Sequence, residues 1–487
     1  MQLAGGFVII PKTKSKNTVA KTRLETDYLI VGSGAVGMAF ADTLLDETDH
    51  NIIMVDLHHK PGGHWNVAYP FVTLHQPSAY YGVNSRELSN GKLDEIGLNK
   101  GLSHLASGAE VLAYFDAVMK EKFLPSGRVQ FFPKCEYEGS GQFRSTLSGN
   151  EFEVTVRQKT VDATYLKTNV PSRHTPSFSI GENVRFMPVN DLPKVKDQPD
   201  GFVIIGGGKT GIDACLWLLE QGVDPDNIRL IMPRDGWMLD RANTQADPDF
   251  FHQSLGTVAA QFEAIAQAGS VDDLFERLEA AGVLIRLDPA IKPKMFHGAT
   301  ISRAELKELQ RIKNVIRMGR VSNISENEIT LDEGSIKTTP NTVHVDCSAS
   351  AITNTNIRPV FEGKLITPQT VRSYQPVFSA AFIAHIEATR DNEAEKNQLC
   401  TVVPLPNHDT DWIRLMIPFM MNQYQWSRDP ELRNWLENSR LDGFSAMARN
   451  VDKNDDAKQA VLKKMRDYSM PAMANLHKLV AQLDNKK

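Results

Sequence analysis

A short apolar run, a glycine-rich turn and a helical segment follow one another twice along this chain. The first turn is Gly32-Ser-Gly-Ala-Val-Gly37 and the second is Gly206-Gly-Gly-Lys-Thr-Gly211. In such a unit the first glycine permits the tight turn, the second lets a pyrophosphate approach the backbone, and the third allows the helix to pack on the strand. The repeat therefore predicts an α/β fold with two Rossmann-like dinucleotide-binding domains, followed by C-terminal helices.

The first turn has the surroundings of a site for a flavin dinucleotide. An apolar run over Asp27 to Val31 precedes it, and Asp56 closes the next strand, 22 residues past Gly34. A carboxylate at that place accepts hydrogen bonds from both ribose hydroxyls, and free N–H groups at the start of the helix bind phosphate oxygens. The residues expected to hold FAD here are Gly32, Gly34, Ala35, Val36, Gly37 and Asp56.

The second turn is followed by a strand with a different ending. Ile228 to Met232 leads to Pro233 and Arg234 rather than to an acid. A carboxylate there would repel a 2'-phosphate, whereas a guanidinium pairs with it, so this site favours NADP(H) over NAD(H). A solvated loop position is the alternative for Arg234. The residues expected to hold this second dinucleotide are Gly206, Gly208, Lys209, Thr210, Gly211, Arg234 and Arg241.

Two dinucleotide sites in one chain are most simply explained by hydride transfer between two cofactors. Each turn is followed by a segment that ends in Asp, a small residue and Ser or Thr, at Val161 to Thr164 and at Val343 to Ser348. This favours a nested arrangement, with the second domain inserted in the first. The expected division is a tail at 1–23, an FAD-binding domain at 24–170 and 341–410, an NAD(P)H-binding domain at 171–340, and a helical region at 411–487.

Composition is typical of a soluble cytoplasmic enzyme. The chain has 487 residues, 41% of them hydrophobic, which suits two or three domains with ordinary cores. A formal net charge of -5 gives no reason to expect nucleic acid or a membrane surface as the main partner, and no apolar run approaches the ~20 residues of a membrane span. Its four cysteines are scattered, which argues against a disulfide framework, a metal site and a dithiol redox centre.

From Asp27 to about Thr401 the chain resembles the class B flavin-dependent monooxygenases, the N- and S-oxygenating enzymes and their Baeyer–Villiger relatives. Besides the two turns, the resemblance rests on Gly62-Gly63-His64-Trp65, Tyr69 to Ser78, and Asp346-Cys-Ser-Ala349. It implies that NADPH reduces FAD and that reduced FAD forms a C4a-hydroperoxide with O2. One oxygen atom would then pass to a small-molecule substrate, such as an amine or a sulfur compound.

The same segments supply candidate catalytic residues. Where the family carries Thr and Asn beside the isoalloxazine ring, this chain has His75 and Gln76, and Gln is longer by one methylene. Together with His64, they are the candidates for donors to flavin or hydroperoxide oxygens; ordinary hydrogen-bonded residues are the alternative. Gly63 allows the chain to pass close to a flat ring, and Trp65 is expected to shield that ring or to pack in the core.

Two further segments are expected near the flavin. Asp346 and Ser348 are placed at its ribityl or phosphate end, and a purely structural strand end is the other interpretation. Phe378 and Ser379 precede a predicted helix over 380–388 and would bring backbone N–H groups near flavin O2 and N1. For Ser379, a role as helix N-cap is the alternative.

Three functions stay open at this point. The first is an NADPH-dependent flavoprotein monooxygenase. The second is an FAD-dependent oxidase or reductase of the same fold, favoured by Gln76 and by a linker that keeps only His174 of the family pattern. The third is a non-catalytic nucleotide-binding protein, against which the intact glycines argue. The identity of the substrate cannot be read from the sequence, and a homo-oligomer is left open.

Overall fold

The computed structural model describes residues 21–166, 170–350 and 356–485. Within these ranges the chain is a mixed α/β structure in which parallel sheets are covered by helices. The expected tail at residues 1–23 lies almost entirely outside the described residues.

The first sheet carries the first glycine turn. Its strands are β1 (Thr22–Val31), β2 (Ile52–Asp56), β5 (Val129–Pro133), β6 (Cys135–Gly139), β7 (Gln142–Ser145), β8 (Glu151–Asp162), β21 (Phe361–Glu362) and β22 (Leu365–Ile366). Strands β22, β8, β1, β2 and β5 lie side by side in that order and run parallel, while β21 and the β6–β7 hairpin pair antiparallel. Because every residue of β2 is buried, both faces of the sheet are covered, as is usual for parallel sheets.

The second sheet carries the second glycine turn. Its strands, all parallel, are β10 (Phe186–Pro188), β11 (Phe202–Ile205), β12 (Ile228–Ile231), β16 (Asn314–Ile316) and β20 (Val343–Asp346). Strand β20 lies between β10 and β11, where Asp346 stands opposite Ile205. The chain leaves the second sheet after Asp346, and the domain boundary at residue 341 stays a prediction.

Smaller sheets occupy the edges of the two units. Their strands are β3 (Gly82–Val83), β4 (Arg86–Glu87), β9 (Ser179–Ile180), β13 (Gly236–Asp240), β14 (Leu284–Ile285), β15 (Met295–Ile301), β17 (Val321–Ile324), β18 (Glu328–Leu331) and β19 (Gly334–Lys337). β13 lies between β14 and β15, and β9, β17, β18 and β19 form a separate sheet. Arg241, just after β13, and the main chain of Thr300, on β15, reach His75 in the first unit.

Helices fill the space around the sheets. They are α1 (Ala35–Glu47), α2 (Gly108–Val118), α3 (Lys209–Glu220), α4 (Phe251–Gln267), α5 (Val271–Ala280), α6 (Arg303–Leu309), α7 (Pro376–Thr389), α8 (Glu393–Leu399), α9 (Asp411–Arg428), α10 (Pro430–Asn438), α11 (Phe444–Arg449) and α12 (Asp456–Asp484). Helix α1 follows the first glycine turn and α3 the second. Helices α1 and α7 share one core, in which Phe40 and Phe382 are fully buried.

The C-terminal helices pack onto the second unit. Asn475 on α12 donates through Nδ2 to the carbonyl oxygens of Ile265 and Ala268, at 2.7 and 2.8 Å, where α4 ends. Leu476 of α12 and Ile265 belong to the same buried cluster. In the described part of the chain, no helix combines the length and the apolar character that crossing a membrane requires.

Candidate functional site

Both glycine turns open into one continuous cleft with a volume of about 1910 Å³. Gly32 and Gly206 have φ values of 98° and 119°, a region that favours glycine. Gly37 and Gly211 lie behind the turns, where an added Cβ would overlap the carbonyl oxygen of Gly32 or Gly206. They close the packing of helix on strand, as the third glycine of such a turn does. The turn residues that line the cleft are Gly32, Gly34, Ala35, Val36, Gly206, Gly208, Lys209 and Thr210.

The start of α1 has the properties of an anion-binding site. Gly34 is the N-cap and offers no side-chain hydrogen bond, and the N–H of Met38 donates back to the Gly34 oxygen. The N–H groups of residues 35–37 therefore have no partner within the helix, and its first turn contains no acidic residue. Gly63 comes so close that a Cβ on it would lie 2.9 Å from the Cα of Gly34. A side chain at position 63 would displace the turn that offers these N–H groups.

Asp56, at the end of β2, is buried beside the cleft and fully engaged by the protein. Its Oδ2 accepts from the N–H and the hydroxyl of Ser33, at 2.6 and 2.9 Å. Its Oδ1 accepts from the N–H and the ring Nδ1 of His58, at 2.7 and 2.9 Å. Burial acts to raise the pKa of Asp56, but these hydrogen bonds outweigh it and the pKa is lowered. Because a carboxylate offers about four acceptor positions, a ribose hydroxyl would have to replace one of these donors.

At the second turn, the first residue of α3 is paired within its own helix. Lys209 forms an ion pair with Asp213, one helical turn further on. Tyr69, from the first unit, donates its hydroxyl proton to the other oxygen of Asp213 at 2.6 Å. Burial, reinforced by Asp213, holds the pKa of Tyr69 well above its usual value, so the phenol remains a donor. Lys209 lines the cleft as expected, but its charge is already neutralised.

The end of β12 forms a positively charged corner of the cleft. Arg234 donates through Nη2 to Oδ1 of Asn407 at 2.9 Å, and the Nε2 of His297 lies 3.0 Å from the same oxygen. Arg320 lines the cleft beside them, and burial together with Arg320 lowers the pKa of Arg234. Among the described residues, neither guanidinium has a carboxylate within ion-pairing distance. This corner therefore offers two unpaired cations to an anionic ligand.

Arg241 does not belong to this corner, so the expectation that it contacts the second dinucleotide is wrong. It is fully buried, and its Nε donates to the carbonyl oxygen of His75 at 3.1 Å. Its two Nη groups donate to Oδ1 of Asn99 at 3.1 Å and to the carbonyl oxygen of Thr300 at 3.3 Å, and one of them pairs with Glu305 at 2.8 Å. Spacing along the chain could not show that the side chain after β13 points inward.

The side chains expected beside the flavin ring, His64, Trp65, His75 and Gln76, all line the cleft. The rings of His64 and Trp65 stack with centroids 5.3 Å apart, and Trp65 Nε1 donates to the hydroxyl of Tyr81 at 2.7 Å. Burial lowers the pKa of His64 to about 4 and that of His75 to about 3, so both rings are uncharged at neutral pH. Trp65 is also a core residue, only 8% exposed.

Asp346 and Ser348 lie beside the second turn, and their contact with the flavin stays a prediction. Asp346 ends β20 and accepts from the N–H and the hydroxyl of Ser348 at 2.9 and 2.6 Å. The Ser348 hydroxyl also lies 3.4 Å from Nε2 of His174. Ser348 lines the cleft, but its strand pairs with β11, which leads into the Gly206 turn. The structural strand-end interpretation is the better one for Asp346.

Phe378 and Ser379 are buried residues inside α7 rather than before it, and their backbone contact with the flavin stays a prediction. The N–H and hydroxyl of Ser379 both donate to the carbonyl oxygen of Gln375, at 2.9 and 2.8 Å. Phe378 is fully buried, with the guanidinium carbon of Arg372 3.8 Å from its ring centroid. The residue of this helix that lines the cleft is Pro376, which has no N–H to offer.

Three residues at the site were not identified from the sequence. Asp213 lies four residues after Lys209 on a predicted helix, a spacing that favours an ion pair and so gave a usable signal. His58 lies only two residues past Asp56, where a ring can fold back onto the carboxylate. Arg320 has no local signal, because it reaches the cleft from the loop after β16.

No protein-family model matches this sequence. The chain is 48% identical over 437 residues to the uncharacterized proteins Rv2000 and MT2056 of Mycobacterium tuberculosis and Mb2023 of Mycobacterium bovis. Each alignment covers 90% of this chain and 81% of the relative.

Similar solved structures carry the names of monooxygenases. A flavin-containing monooxygenase from Stenotrophomonas maltophilia has a TM-score of 0.41 and 14% identity, covering 75% of this chain and 97% of that one. Cyclohexanone monooxygenase in an open form has a TM-score of 0.45 and 13% identity, covering 78% and 92%. OTEMO in complex with FAD and NADP has a TM-score of 0.44 and 15% identity, covering 74% and 84%. At these TM-scores the likeness is distant and carries no functional conclusion.

Proposed function

This chain belongs to the same protein family as the uncharacterized protein Rv2000 of Mycobacterium tuberculosis, and we propose that it is an FAD- and NADPH-dependent oxidoreductase. The observation that carries the proposal is the shared cleft. Gly34 and Gly208, the N-caps of α1 and α3, line the same volume, and neither helix start has a side-chain cap. Each start offers free N–H groups to a diphosphate. The volume of about 1910 Å³ exceeds the roughly 300–1,000 Å³ of an ordinary small-molecule pocket, as two dinucleotides require.

The first turn fits FAD. Residues 34–36 would bind the diphosphate through their N–H groups, and Asp56 would hold the ribose once a present donor gives way. The flat ring would lie along Gly63, His64 and Trp65, where burial favours an uncharged histidine. Bound FAD supplies the redox chemistry, and the chain supplies binding, orientation and shelter from water.

The second turn fits NADPH better than NADH. Arg234 and Arg320 offer two guanidinium groups without ion pairs at the end of β12, which is where the adenosine ribose of such a dinucleotide lies. A charge-assisted hydrogen bond to a phosphate contributes roughly 1.5–3 kcal/mol. Loss of the 2'-phosphate therefore leaves these cations unpaired, which is the physical basis of the preference.

The reaction we propose is monooxygenation, in which one oxygen atom of O2 passes to a small molecule such as an amine or a sulfur compound. The supporting features are the sequence resemblance and the apolar part of the cleft wall, which excludes water from a reacting substrate. That wall is formed by Trp237, Met238, Met295, Tyr374, Leu405 and Pro406. A cytoplasmic location belongs to the same proposal.

A second candidate is an FAD-dependent oxidase or reductase that transfers no oxygen. The observation in its favour is that His75 and Gln76 line the cleft at the places of the family's Thr and Asn. The Gln76 side chain forms no hydrogen bond with the described residues, so its amide is free to bind a ligand in the cleft.

The test is to follow NADPH consumption by the FAD-loaded protein in air with a panel of amines and sulfides. Monooxygenation predicts that oxygenated product accounts for most of the NADPH consumed in the presence of a substrate. One equivalent of hydrogen peroxide per NADPH with every compound supports the oxidase instead. FAD uptake by the purified protein is compared with that of Gly34→Ala, which is expected not to bind FAD. A protein that takes up no more FAD than this variant overturns both candidates and favours a non-catalytic role.

A further inference from the structure

His75 is held by groups from the opposite unit. The N–H of Thr300, on β15, lies 3.2 Å from Nδ1 of its ring and donates to it. Nε of Arg241 donates to its carbonyl oxygen at 3.1 Å. Thr300 and Arg241 are themselves joined, because Nη2 of Arg241 donates to the Thr300 carbonyl oxygen at 3.3 Å. The ring and the backbone of one residue are thus fixed by two residues that are fixed to each other.

These contacts determine which ring nitrogen of His75 carries the proton. A main-chain N–H only donates, so Nδ1 must accept, and the proton of the neutral ring lies on Nε2. Nε2 has no hydrogen-bond partner among the described residues. It is also not one of the fully buried side-chain atoms that lack a partner there, so it is accessible. Since the ring lines the cleft, an unused N–H donor is accessible to a ligand.

The charged groups around His75 favour the uncharged ring. Lys209 and Asp213 face it from α3, Arg241 faces it from behind, and Glu305 pairs with Arg241. Burial, then the Lys209 cation, lowers the pKa of His75 to about 3; Asp213 acts in the opposite direction and Arg241 in the same one. Lys209 and Asp213 lie on the first five residues of α3 and line the same cleft as His75, so the free donor and the second glycine turn face one space.

We propose that His75 is a fixed, uncharged hydrogen-bond donor to an oxygen atom of the dinucleotide at the second glycine turn, and that Arg241 positions it. Such a ligand presents phosphate, hydroxyl and carboxamide oxygens, all of which accept from an N–H. The identity of the ligand rests on the proposed function, whereas the orientation of the ring does not.

Nuclear magnetic resonance of the FAD-loaded protein with ¹⁵N-labelled histidine tests the orientation and the ligand separately. The His75 signals are assigned by their loss in His75→Gln. The Nε2–H tautomer should persist from about pH 5.5 to pH 8, and NADP+ should move the Nε2 signal without changing the tautomer. An Nδ1–H tautomer, a ring that titrates in this range, or an Nε2 signal unmoved by saturating NADP+ overturns the proposal.

Binding measurements with substituted proteins test the donor. His75→Leu removes it, and NADP+ should bind about three- to tenfold more weakly, since one uncharged hydrogen bond is lost. His75→Gln keeps an N–H of similar reach and should restore binding to within about twofold. FAD binding should not change in either variant, and His252→Leu, at an exposed position on α4, is the matched control. Equal weakening by Leu and Gln overturns the donor role.

The positioning role of Arg241 has its own readout. Arg241→Lys keeps a cation for Glu305 but loses the planar fork that reaches His75 and Thr300. It should produce a mixture of His75 tautomers and the same loss of NADP+ affinity as His75→Leu. A folded Arg241→Lys protein with an unchanged tautomer overturns this role. If Arg241→Lys does not fold, the comparison of His75→Leu with His75→Gln still decides the ligand contact.

Absence of any NADP+ binding by calorimetry overturns the proposed function and the ligand assignment together. An Nε2–H tautomer of His75 in the same sample shows that the ring orientation is nevertheless right.

Discussion

Asp56 accepts two hydrogen bonds from a single residue, His58, one from the main-chain N–H at 2.7 Å and one from the ring at 2.9 Å. Ser33 fills the other carboxylate oxygen with two more. A ribose that binds Asp56 must therefore take the place of a donor that is already present. Two of the four donors are side chains, the ring of His58 and the hydroxyl of Ser33, and either can turn away without a change in the backbone; we expect the ring to do so.

This exchange predicts opposite effects for two neighbouring substitutions. His58→Ala leaves an acceptor position of Asp56 open, so the protein should bind FAD as tightly as before or up to a few-fold more tightly. Asp56→Ala removes the carboxylate that would accept from the ribose and should weaken FAD binding by about tenfold or more, since a hydrogen bond to a charged group contributes about 1.5–3 kcal/mol. Titration of the apoprotein with FAD, followed by flavin fluorescence, measures both. A His58→Ala protein that cannot hold FAD would contradict the exchange.

The two glycines at the helix starts should separate the two nucleotides. An added Cβ at Gly34 has only ordinary contacts, the nearest at 3.5 Å from Gly63, and at Gly208 it has no neighbour within 4 Å. Both alanine variants should therefore fold, while the methyl group occupies the space of the incoming diphosphate. We expect Gly34→Ala to lose FAD binding and Gly208→Ala to lose NADPH binding. Gly256→Ala, on α4 with equally open surroundings, is the control, and two variants with unchanged nucleotide binding would refute the assignment.

Arg234 and Arg320 should act together on the choice of reductant. Arg234→Ala should raise the KM for NADPH by about tenfold or more, because ~1.4 kcal/mol corresponds to a factor of ten, and should leave that for NADH nearly unchanged. Arg320→Ala should act in the same direction, and the double variant should use the two dinucleotides almost equally. Steady-state kinetics with both reductants measures this, with Arg144→Ala, at an exposed position on β7, as control. Equal effects on NADPH and NADH would show that Arg234 and Arg320 do not bind the 2'-phosphate.

Arg241 should matter for stability far more than Arg234. Arg241→Met removes a buried guanidinium that pairs with the partly buried Glu305 and donates to His75, Asn99 and Thr300, and it should lower the free energy of unfolding by about 3–5 kcal/mol. Arg234→Met, at the cleft and without an ion pair, should change it by less than about 1 kcal/mol. Urea unfolding of the ligand-free proteins, followed by circular dichroism, compares the two. Similar losses in both would mean that the buried pair is not the decisive contact.

The two lowered histidine pKa values predict a loss of stability in mild acid. The pKa of His64 is about 4 and that of His75 about 3 in the folded protein, against about 6.5 in an unfolded chain. Between these values the unfolded chain binds more protons than the folded one, so stability rises with pH. The contribution is complete above about pH 6.5 and is lost as the pH falls toward 4. The urea concentration at the unfolding midpoint should therefore decrease as the pH is lowered from 7 to 5. His64→Asn should make this decrease smaller. An unchanged pH dependence would exclude His64 as its source.

The local sequence pattern was sufficient to predict those parts of the fold that are built from consecutive residues. Each strand, glycine turn and helix lies within about thirty consecutive residues, so its spacing carries the information, and both units are present where they were predicted. Arg234 lines the cleft three residues after β12 ends, and its contact with a phosphate stays a prediction.

Pattern failed where a neighbour comes from elsewhere in the chain. Asp346 and Ser348 belong to the second turn because β20 pairs with β11, some 140 residues earlier in sequence. Arg241 points inward because Asn99 and Glu305 are there to receive it, and neither is local. Ser379 lies in the first turn of α7, where its hydroxyl donates to the carbonyl oxygen of Gln375, the residue before the helix begins at Pro376.

The undivided cleft has a consequence that requires no movement of the protein. A molecule bound at Gly34 removes room from the volume into which Gly208 also opens, so occupancy at one end alters what the other end can accommodate. The two ends are therefore coupled by excluded volume alone. A ligand that extends beyond its own end of the cleft therefore competes for space with a ligand at the other end, even if the backbone stays rigid.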